Sequence, residues 1–248
     1  MGHIYVTGDK HGRFDAILYR IEHGQITKDD AVIVLGDAGI NYYLDKRDTK
    51  LKEKLEATGV TFLIVRGNHE ARPVGKQYVQ NEIICSSMFK GNFIYEPEFY
   101  HILYMIDGET YIFNNSKGDF AKALAIGGAY SVDKYFRLTK QKQGYKDYQW
   151  FEDEQLSQEE MDAIFRKVQN QSYDYVLTHT VPYNSRPIDM FLSTVDQSTV
   201  DESMEKFLQK VHDSVHFKRW YAGHWHTDRI MDNIRFCYND VMELGEVY

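Results

Sequence analysis

The chain has 248 residues, of which 43% are hydrophobic and 15% aromatic, and its four prolines leave no Pro/Gly/Ser-rich linker, so we expect one α/β domain over residues 1–248. The net charge of −8 comes with no basic block, which argues against duplex nucleic acid as a partner. Two cysteines cannot form a framework of disulfides, and there is neither a signal region nor an apolar run of membrane-spanning length, so we expect a soluble, cytoplasmic protein without membrane contacts.

Strands and helices alternate in the first third of the chain. The predicted elements are a strand at 3–9, a helix at 14–21, a strand at 31–37, a helix at 48–59 and a strand at 61–68. The strands are β-branched, apolar runs, whereas the helices carry apolar residues three or four positions apart. This order predicts parallel strands that are joined by crossover helices.

The middle of the chain has a different pattern. Residues 99–114 contain two apolar runs on either side of Asp107 and Gly108, and an Asp-Gly pair between apolar runs is typical of a hairpin turn. We therefore expect an antiparallel hairpin here. A further buried strand is predicted at 121–130, where the apolar run ends in paired glycines.

A polar and aromatic segment follows the predicted strand. Residues 131–153 show no helical or strand periodicity, so we interpret them as an irregular cap that is inserted into the domain at about 131–157. Ser157 and Glu160 then stand in capping-box spacing before an amphipathic run. This pattern predicts that a helix begins at Ser157.

Strands return in the last third. The predicted elements are a strand at 174–180, a helix at 201–212, and strands at 219–230 and 234–239. The last two are expected to form a hairpin across Asp232 and Asn233. His224 and His226 fall within the predicted strand 219–230, and side chains two residues apart in a strand point to the same face.

Residues typical of metal ligands follow five apolar runs. The five motifs are Gly8-Asp9-Lys10-His11-Gly12, Gly36-Asp37-Ala38-Gly39, Gly67-Asn68-His69-Glu70, Thr178-His179-Thr180 and Gly223-His224-Trp225-His226. Ligand sites of open α/β sheets lie beyond the carboxyl ends of the strands, so residues that are distant in sequence can converge there.

The donor types in these motifs suit divalent metal ions. Imidazole and carboxylate together favour manganese, iron, zinc, nickel or cobalt over calcium or magnesium alone. Seven donors exceed what one ion takes from a protein when it keeps an open catalytic position. Two ions that share a bridging carboxylate would use the donors fully, so we expect two divalent ions, manganese foremost, with magnesium still possible.

Taken in this order and spacing, the five motifs resemble those of the calcineurin-like metallophosphoesterase superfamily, and the resemblance extends from Asp9 to His226. It implies an α/β (α+β) fold, a four-layer double β-sandwich of mixed sheets flanked by helices. It also implies the metal ligands: Asp9, His11 and His226 for the first ion, Asn68, His179 and His224 for the second, and Asp37 as the bridge.

The resemblance further implies a phosphoesterase mechanism. A hydroxide that bridges the two ions would attack phosphorus, because metal binding makes water acidic enough to ionise near neutral pH. His69 would face the substrate and assist the leaving group, a suitable task for an imidazole. Asp37 and Asn68 would contribute to catalysis as ligands, whereas Arg66 and Glu70 would support the structure around them.

Three further side chains are expected to contact the substrate. Arg72 and Arg137 are candidates because a guanidinium group matches a phosphate with two hydrogen bonds. Asn41 stands where related protein Ser/Thr phosphatases carry a phosphate-binding arginine, and Ile40 stands where they carry the aspartate that orients the catalytic histidine. This departure argues against a phosphoprotein phosphatase and leaves the orientation of His69 unexplained.

We therefore expect hydrolysis of a phosphomonoester or phosphodiester of a small molecule or nucleotide. The alternatives are a nuclease of the same superfamily, a phosphoprotein phosphatase, and a metal-bound scaffold without catalysis. Low basicity argues against the nuclease, and the complete set of donors argues against the scaffold. The sequence leaves the substrate, the native metals and the oligomeric state open.

Overall fold

The computed structural model describes residues 2–114 and 119–246, and within them thirteen strands form one curled, mixed sheet flanked by five α-helices. The strands are β1 Ile4–Thr7, β2 Ala31–Leu35, β3 Thr61–Val65, β4 Val79–Cys85, β5 Phe89–Tyr95, β6 Ile102–Met105, β7 Glu109–Asn114, β8 Phe120–Ile126, β9 Ser172–Thr178, β10 His216–Ala222, β11 Arg229–Met231, β12 Ile234–Phe236 and β13 Met242–Glu243. The helices are α1 Asp15–Glu22, α2 Lys46–Glu56, α3 Lys134–Lys142, α4 Gln158–Val168 and α5 Ser203–His212.

Two parallel groups of strands make up most of the sheet. Strands β1, β2, β3 and β6 pair in parallel in one half, and strands β8, β9, β10 and β12 do so in the other. Antiparallel strands β5 and β7 join the two halves. The predicted strand–helix–strand order of the first third is confirmed, since α1 and α2 each connect neighbouring parallel strands.

The sheet curls so that its two halves pack face to face. Ile33 and Leu35 of β2 belong to the same buried cluster as Leu177 of β9 and Tyr221 of β10, so this cluster lies between the halves. The alternate side chains of each half, Val34 among them, pack with residues of the helices on the outside. The result is helix, sheet, sheet, helix, which confirms the expected four-layer fold.

Several predicted elements differ from the observed ones. The hairpin at 99–114 is wrong: β6 and β7 flank the predicted turn, but they lie end to end along β5 rather than beside each other. Strands β4 and β5 were not predicted, because β4 is largely exposed and lacks an apolar alternation. Residues 131–153 are not wholly irregular, since they contain α3. The hairpin across Asp232 and Asn233 and the capped helix at Ser157 are confirmed.

Across residues 2–114 and 119–246, none of the helices combines the length and the apolar character that a bilayer crossing requires.

Candidate metal centre

The seven predicted ligands lie at one edge of the sheet. Strands β1, β2, β3, β9 and β10 run parallel within their halves, and each ends one to four residues before a predicted ligand. His224 and His226 therefore lie in the loop after β10, not within a strand as predicted, and both have backbone φ angles in the left-handed region. The loops, rather than the strand faces, bring these side chains together.

One group of donors forms around Asp9. The Nε2 atoms of His11 and His226 lie 3.1 Å apart, and Nε2 of His226 lies 3.9 Å from Oδ1 of Asp9. The potential ligand atoms of these three residues all lie within 4.8 Å of one another. The set that the sequence assigns to the first ion is thus a compact triad in the structure.

A second group forms around His179. Its Nε2 atom lies 2.8 Å from Oδ1 of Asn68 and 3.6 Å from Oδ1 of Asp37, and its ring centroid lies 5.0 Å from that of His224. The other carboxylate oxygen of Asp37 lies 3.8 Å from Nε2 of His11. Asp37 therefore lies within 4 Å of one histidine from each group, between the two sets of donors.

The hydrogen bonds of His179 leave two acceptor atoms facing each other. Its Nδ1 atom lies 2.7 Å from the carbonyl oxygen of Leu35 and must donate a proton to it, because a carbonyl group only accepts. Since burial lowers the pKa of His179, the imidazole is neutral and Nε2 carries a lone pair. That lone pair faces Oδ1 of Asn68, another acceptor. A divalent ion satisfies both acceptors at once.

Asp9 gives a second indication of the same kind. Its Oδ2 atom accepts a hydrogen bond of 2.7 Å from the backbone N–H of His224, but its buried Oδ1 atom has no hydrogen-bond partner in the described part of the chain. Burial and the nearby charge of Asp37 raise the pKa of Asp9. An unpartnered buried carboxylate oxygen is costly, so the residues fit a metal ion that would bind to this atom.

At two glycines, the side chains of candidate ligands approach the backbone more closely than a residue with a Cβ atom would allow. Gly36 precedes Asp37 with a φ angle of +88°, and a Cβ atom at this position would lie 2.1 Å from Nδ1 of His179. A Cβ atom at Gly67 would lie 2.0 Å from Oδ1 of Asp37. The glycines of the second and third motifs are therefore required by the close approach of the ligands to the backbone.

Burial also sets the charge state of the cluster. It lowers the pKa of His11 to about 4 and that of His224 well below the usual value, so both imidazoles are neutral at pH 7 and can bind a metal. Burial alone would raise the pKa of Asp37. In acid, however, the surrounding imidazoles are protonated, and together with the backbone N–H of His69 they hold the pKa of Asp37 below the usual range. The Asp37 carboxylate is therefore ionised at neutral pH.

Comparison with known proteins identifies the family. Residues 2–228 match the family model described as calcineurin-like phosphoesterase. The chain belongs to this family. It is accordingly a metal-dependent phosphoric ester hydrolase, and the family implies divalent metal ions as cofactors.

Solved structures give a further likeness. The phosphopantetheinyl hydrolase of Mycobacterium tuberculosis is similar over 99% of this chain and 96% of that chain, at 12% sequence identity and a TM-score of 0.48. No curated protein matches the chain.

Two residues of this calcineurin-like phosphoesterase were missed in the sequence. The Asn68 side-chain amide donates a hydrogen bond of 2.8 Å to Oγ of Ser131, and Ser131 donates its own hydroxyl proton to Glu154 over 2.5 Å. The backbone N–H of Ser131 also donates to Glu154, and all three residues are buried. Because Ser131 accepts from Asn68, the Oδ1 atom of Asn68 is left to face His179. Ser131 and Glu154 lie in the expected cap, where the sequence shows neither a recognisable motif nor a periodicity that would single them out.

His69 lies beside the donor cluster. Its backbone N–H donates a hydrogen bond of 2.8 Å to Oδ1 of Asp37, and its ring centroid lies 5.7 Å from that of His11. The side chain lines a cavity of about 520 Å³ together with His11 and Arg137. No side chain in the described residues hydrogen-bonds to the imidazole of His69, and Ile40 is fully buried.

The structure brings only one of the three predicted substrate contacts to this cavity. Arg137 lines it. The guanidinium of Arg72 is held by Asp153 and by Glu160, the latter at 2.6 Å, and it lines a different cavity. Asn41 is buried and donates to the hydroxyl of Tyr78 over 3.1 Å.

Glu70 of the third motif and Arg66 just before the motif are both buried, and they support the loop after β3. Glu70 accepts a hydrogen bond of 3.0 Å from the backbone N–H of Gly39, and burial together with Asp37 raises its pKa to about 8. Arg66 pairs with Asp107 and donates to the carbonyl oxygen of Glu154 over 2.8 Å. These contacts join the loops after β2 and β3 to the segment that carries Ser131.

Proposed function

We propose that this phosphoesterase binds two divalent ions and hydrolyses a phosphomonoester or phosphodiester of a small molecule or nucleotide. The first ion would be held by Asp9, His11 and His226, the second by Asn68, His179 and His224, with Asp37 shared between them. The observation that carries the proposal is the pair of facing acceptors, Nε2 of His179 and Oδ1 of Asn68, beside two buried carboxylates. Bound ions would supply Lewis acidity that makes water acidic and neutralises the phosphoryl oxygens.

The donor set supports a borderline metal. Four imidazoles, two carboxylates and one amide suit manganese, iron, zinc, nickel or cobalt better than magnesium alone. We propose manganese as the working ion, because a site with three oxygen donors does not demand a softer metal.

His69 is proposed as the proton donor to the leaving oxygen. Its backbone is fixed by the hydrogen bond to Asp37, and its imidazole reaches the cavity beside His11, where none of the described residues hydrogen-bonds to its ring nitrogen atoms. A ring nitrogen that is not hydrogen-bonded to protein remains available to the substrate. Assistance of this kind contributes typically a factor of 10² to 10⁴ in rate.

The shape around His69 favours a diester as a second candidate substrate. A further cavity of about 410 Å³ shares His11, His69 and Arg137 with the first, and Tyr43 and Arg47 line its other side. Two cavities that meet at the proposed leaving-group donor provide room for two organic groups on one phosphorus. A monoester would need only one of them.

We also propose that residues 131–157 form a cap over this region within a single domain. Arg137 of this segment donates to the hydroxyl of Tyr42 over 2.7 Å, and that hydroxyl donates to the carbonyl oxygen of Asp147 over 2.8 Å. Tyr42 belongs to the loop after β2, which also carries Asp37. These contacts support a cap that is fixed to the candidate site.

Metal titration and activity together test the proposal. Protein stripped of metal is titrated with manganese by calorimetry, and hydrolysis is measured with monoesters, cyclic nucleotides and dinucleoside polyphosphates. We expect two manganese ions per chain in the wild type and a weakened pair of sites in Asp37→Asn. Binding of a single ion would refute the shared site, and the absence of metal-dependent hydrolysis of every ester would refute the proposed function.

A further inference from the structure

The larger cavity at the candidate metal centre is lined by two chemically different sets of side chains. One set consists of donors of the cluster, including Asp37 and His224, and the other, the apolar end, consists of apolar side chains. The apolar end is lined chiefly by Val132, Met190, Phe191, Leu192, Val195 and Trp225. At about 520 Å³ the cavity has the size of a small-molecule site, and it is continuous with the position where phosphorus would react.

The apolar end is built onto the loop that carries the metal donors. The ring of Phe191 stacks on that of Trp225, with centroids 5.7 Å apart and planes at 13°. Trp225 lies between His224 and His226 in sequence, so the stack ties the segment 182–202 to the donor loop. The stacked pair of Phe191 and Trp225 is therefore held at a fixed distance from the donor cluster. A substrate with its phosphoryl group at the cluster would place its organic group against this pair.

The charges of the cavity are already matched. The guanidinium of Arg137 binds Asp133 at 2.8 Å, and the guanidinium of Arg186 binds Glu202. Among the described residues that line the cavity, these are the only two guanidinium groups, and Glu205 adds a further carboxyl group. The cavity therefore offers a second phosphate or carboxylate of a substrate little electrostatic compensation.

We propose that the organic group of the substrate is uncharged and apolar, aliphatic or aromatic, and that it binds against Phe191, Leu192 and Trp225. This inference rests on the proposed function, since it names the class of ester that the same site hydrolyses. A substrate with a single anionic phosphoryl group and an apolar body fits the cavity, whereas nucleoside polyphosphates and sugar phosphates do not.

Binding of stable phosphonates separates this inference from the proposed function. Hexylphosphonate and 2,3-dihydroxypropylphosphonate carry the same headgroup, on an apolar chain of six carbons and a polar chain of three carbons, and neither contains an ester bond that can be hydrolysed. Calorimetry on the manganese-loaded protein is expected to give a dissociation constant at least tenfold lower for hexylphosphonate. Equal affinities, or tighter binding of the dihydroxypropyl compound, would overturn the inference even if esters are hydrolysed.

Two variants locate the preference in the cavity. Leu192→Asn changes a side chain that lines the apolar end, and Ile188→Asn changes an apolar side chain of the same segment that does not line it. Both leucine and isoleucine are exposed, by 60% and 71%, so neither change should affect folding. We expect Leu192→Asn to reduce the preference for hexylphosphonate about fivefold and Ile188→Asn to leave it unchanged. A preference that survives in Leu192→Asn and in the double variant Leu192→Asn/Val195→Asn would refute the assigned position.

The corresponding esters supply the second arm of the test. Hexyl phosphate and glycerol 3-phosphate both release a primary alcohol, so their intrinsic reactivities are similar, and each is also tested as its methyl diester. A preference in kcat/KM for the hexyl compounds of at least tenfold supports the inference. If manganese-dependent hydrolysis is found neither for these two series nor for the cyclic nucleotides and dinucleoside polyphosphates, the proposed function fails, while the phosphonate affinities still decide the chemistry of the cavity.

Discussion

Ser131→Ala is the sharpest test of how the structure orients a proposed metal ligand. The hydroxyl of Ser131 accepts a hydrogen bond from the Asn68 amide and donates one to Glu154, and the exposed fractions of these three residues are only 1–2%. Alanine removes both bonds without adding bulk. The amide N–H of Asn68 and one carboxylate oxygen of Glu154 would then be buried without a partner.

The cost can be worked out from these two groups. Leaving one buried polar group unsatisfied costs about 1–3 kcal/mol, so two groups should lower the free energy of unfolding by about 2–6 kcal/mol. Rotation of the Asn68 amide would recover part of this cost, because its N–H can then donate to the unprotonated Nε2 of His179. The same rotation turns Oδ1 away from the proposed metal site. Loss of a residue that orients a ligand weakens metal binding about 10- to 100-fold, equivalent to about 1.4–2.7 kcal/mol.

Ser157→Ala is the matched control. Ser157 caps the N-terminus of α4 and accepts a hydrogen bond from the backbone N–H of Glu160, far in sequence from every proposed ligand. Loss of such a cap costs about 1 kcal/mol. Urea denaturation of the metal-free proteins should therefore show both variants destabilised, whereas calorimetric titration with manganese should show weaker binding only in Ser131→Ala.

Two outcomes would contradict the role of Ser131 in orienting Asn68. If Ser131→Ala binds manganese with the affinity of the wild type, then Ser131 does not decide which atom of Asn68 faces the site. If it is destabilised and loses affinity to the same extent as Ser157→Ala, the effect on metal is a general consequence of lower stability.

Three further predictions follow from the same structure. His69→Ala should retain both manganese ions but lower kcat at least ~10²-fold, and an unchanged rate, with exposed His23→Ala as control, would remove His69 from the mechanism. Gly36→Ala should abolish high-affinity metal binding in calorimetry, because its Cβ would lie 2.1 Å from His179; normal binding would show that the loop can relax. Burial raises the pKa of Glu205 to about 7 from 4.5, so the folded state keeps a proton that the unfolded chain has released, and stability falls by about 3 kcal/mol as the pH rises from about 4.5 to about 7. Urea denaturation across this range should give a shallower fall in Glu205→Gln, and identical slopes in the two proteins would contradict the assigned pKa.

The sequence was sufficient to predict where the candidate site would form. Apolar runs such as residues 31–35 predict buried strands, and the polar motif after each run marks the loop at its carboxyl end. Because the alternation of strand and helix requires parallel pairing, the loops of β1, β2 and β3 had to lie at one edge. The family match and the observed proximity of Asp9, Asp37 and His179 agree with that logic.

Pairing between strands was harder to predict than their existence. The turn at Asp107 and Gly108 does form, since β6 ends at Met105 and β7 begins at Glu109. A turn signal reports only a local bend, however, and here the chain continues in the same direction, since β6 and β7 are both antiparallel to β5. The partner of each strand is decided by the burial that the whole sheet achieves. Here β5 takes both strands as neighbours along one edge. Buried and exposed residues alternate too irregularly in β5 for a pattern in its sequence to predict this role.

The backbone at the candidate site shows why its details lay beyond the sequence. Five proposed ligands have left-handed φ angles: Asp9, His11, Asp37, His224 and His226. Each costs about 1–2 kcal/mol, so together they approach the whole stability of a typical domain and must be offset locally. The offset comes from the ligands themselves, because Asp37 accepts the N–H of His69 and Asp9 accepts that of His224. These carboxylates thus hold the loops and also line the proposed metal site. A loss of activity in Asp37→Asn can therefore be assigned to metal binding only if its metal-free stability matches the wild type.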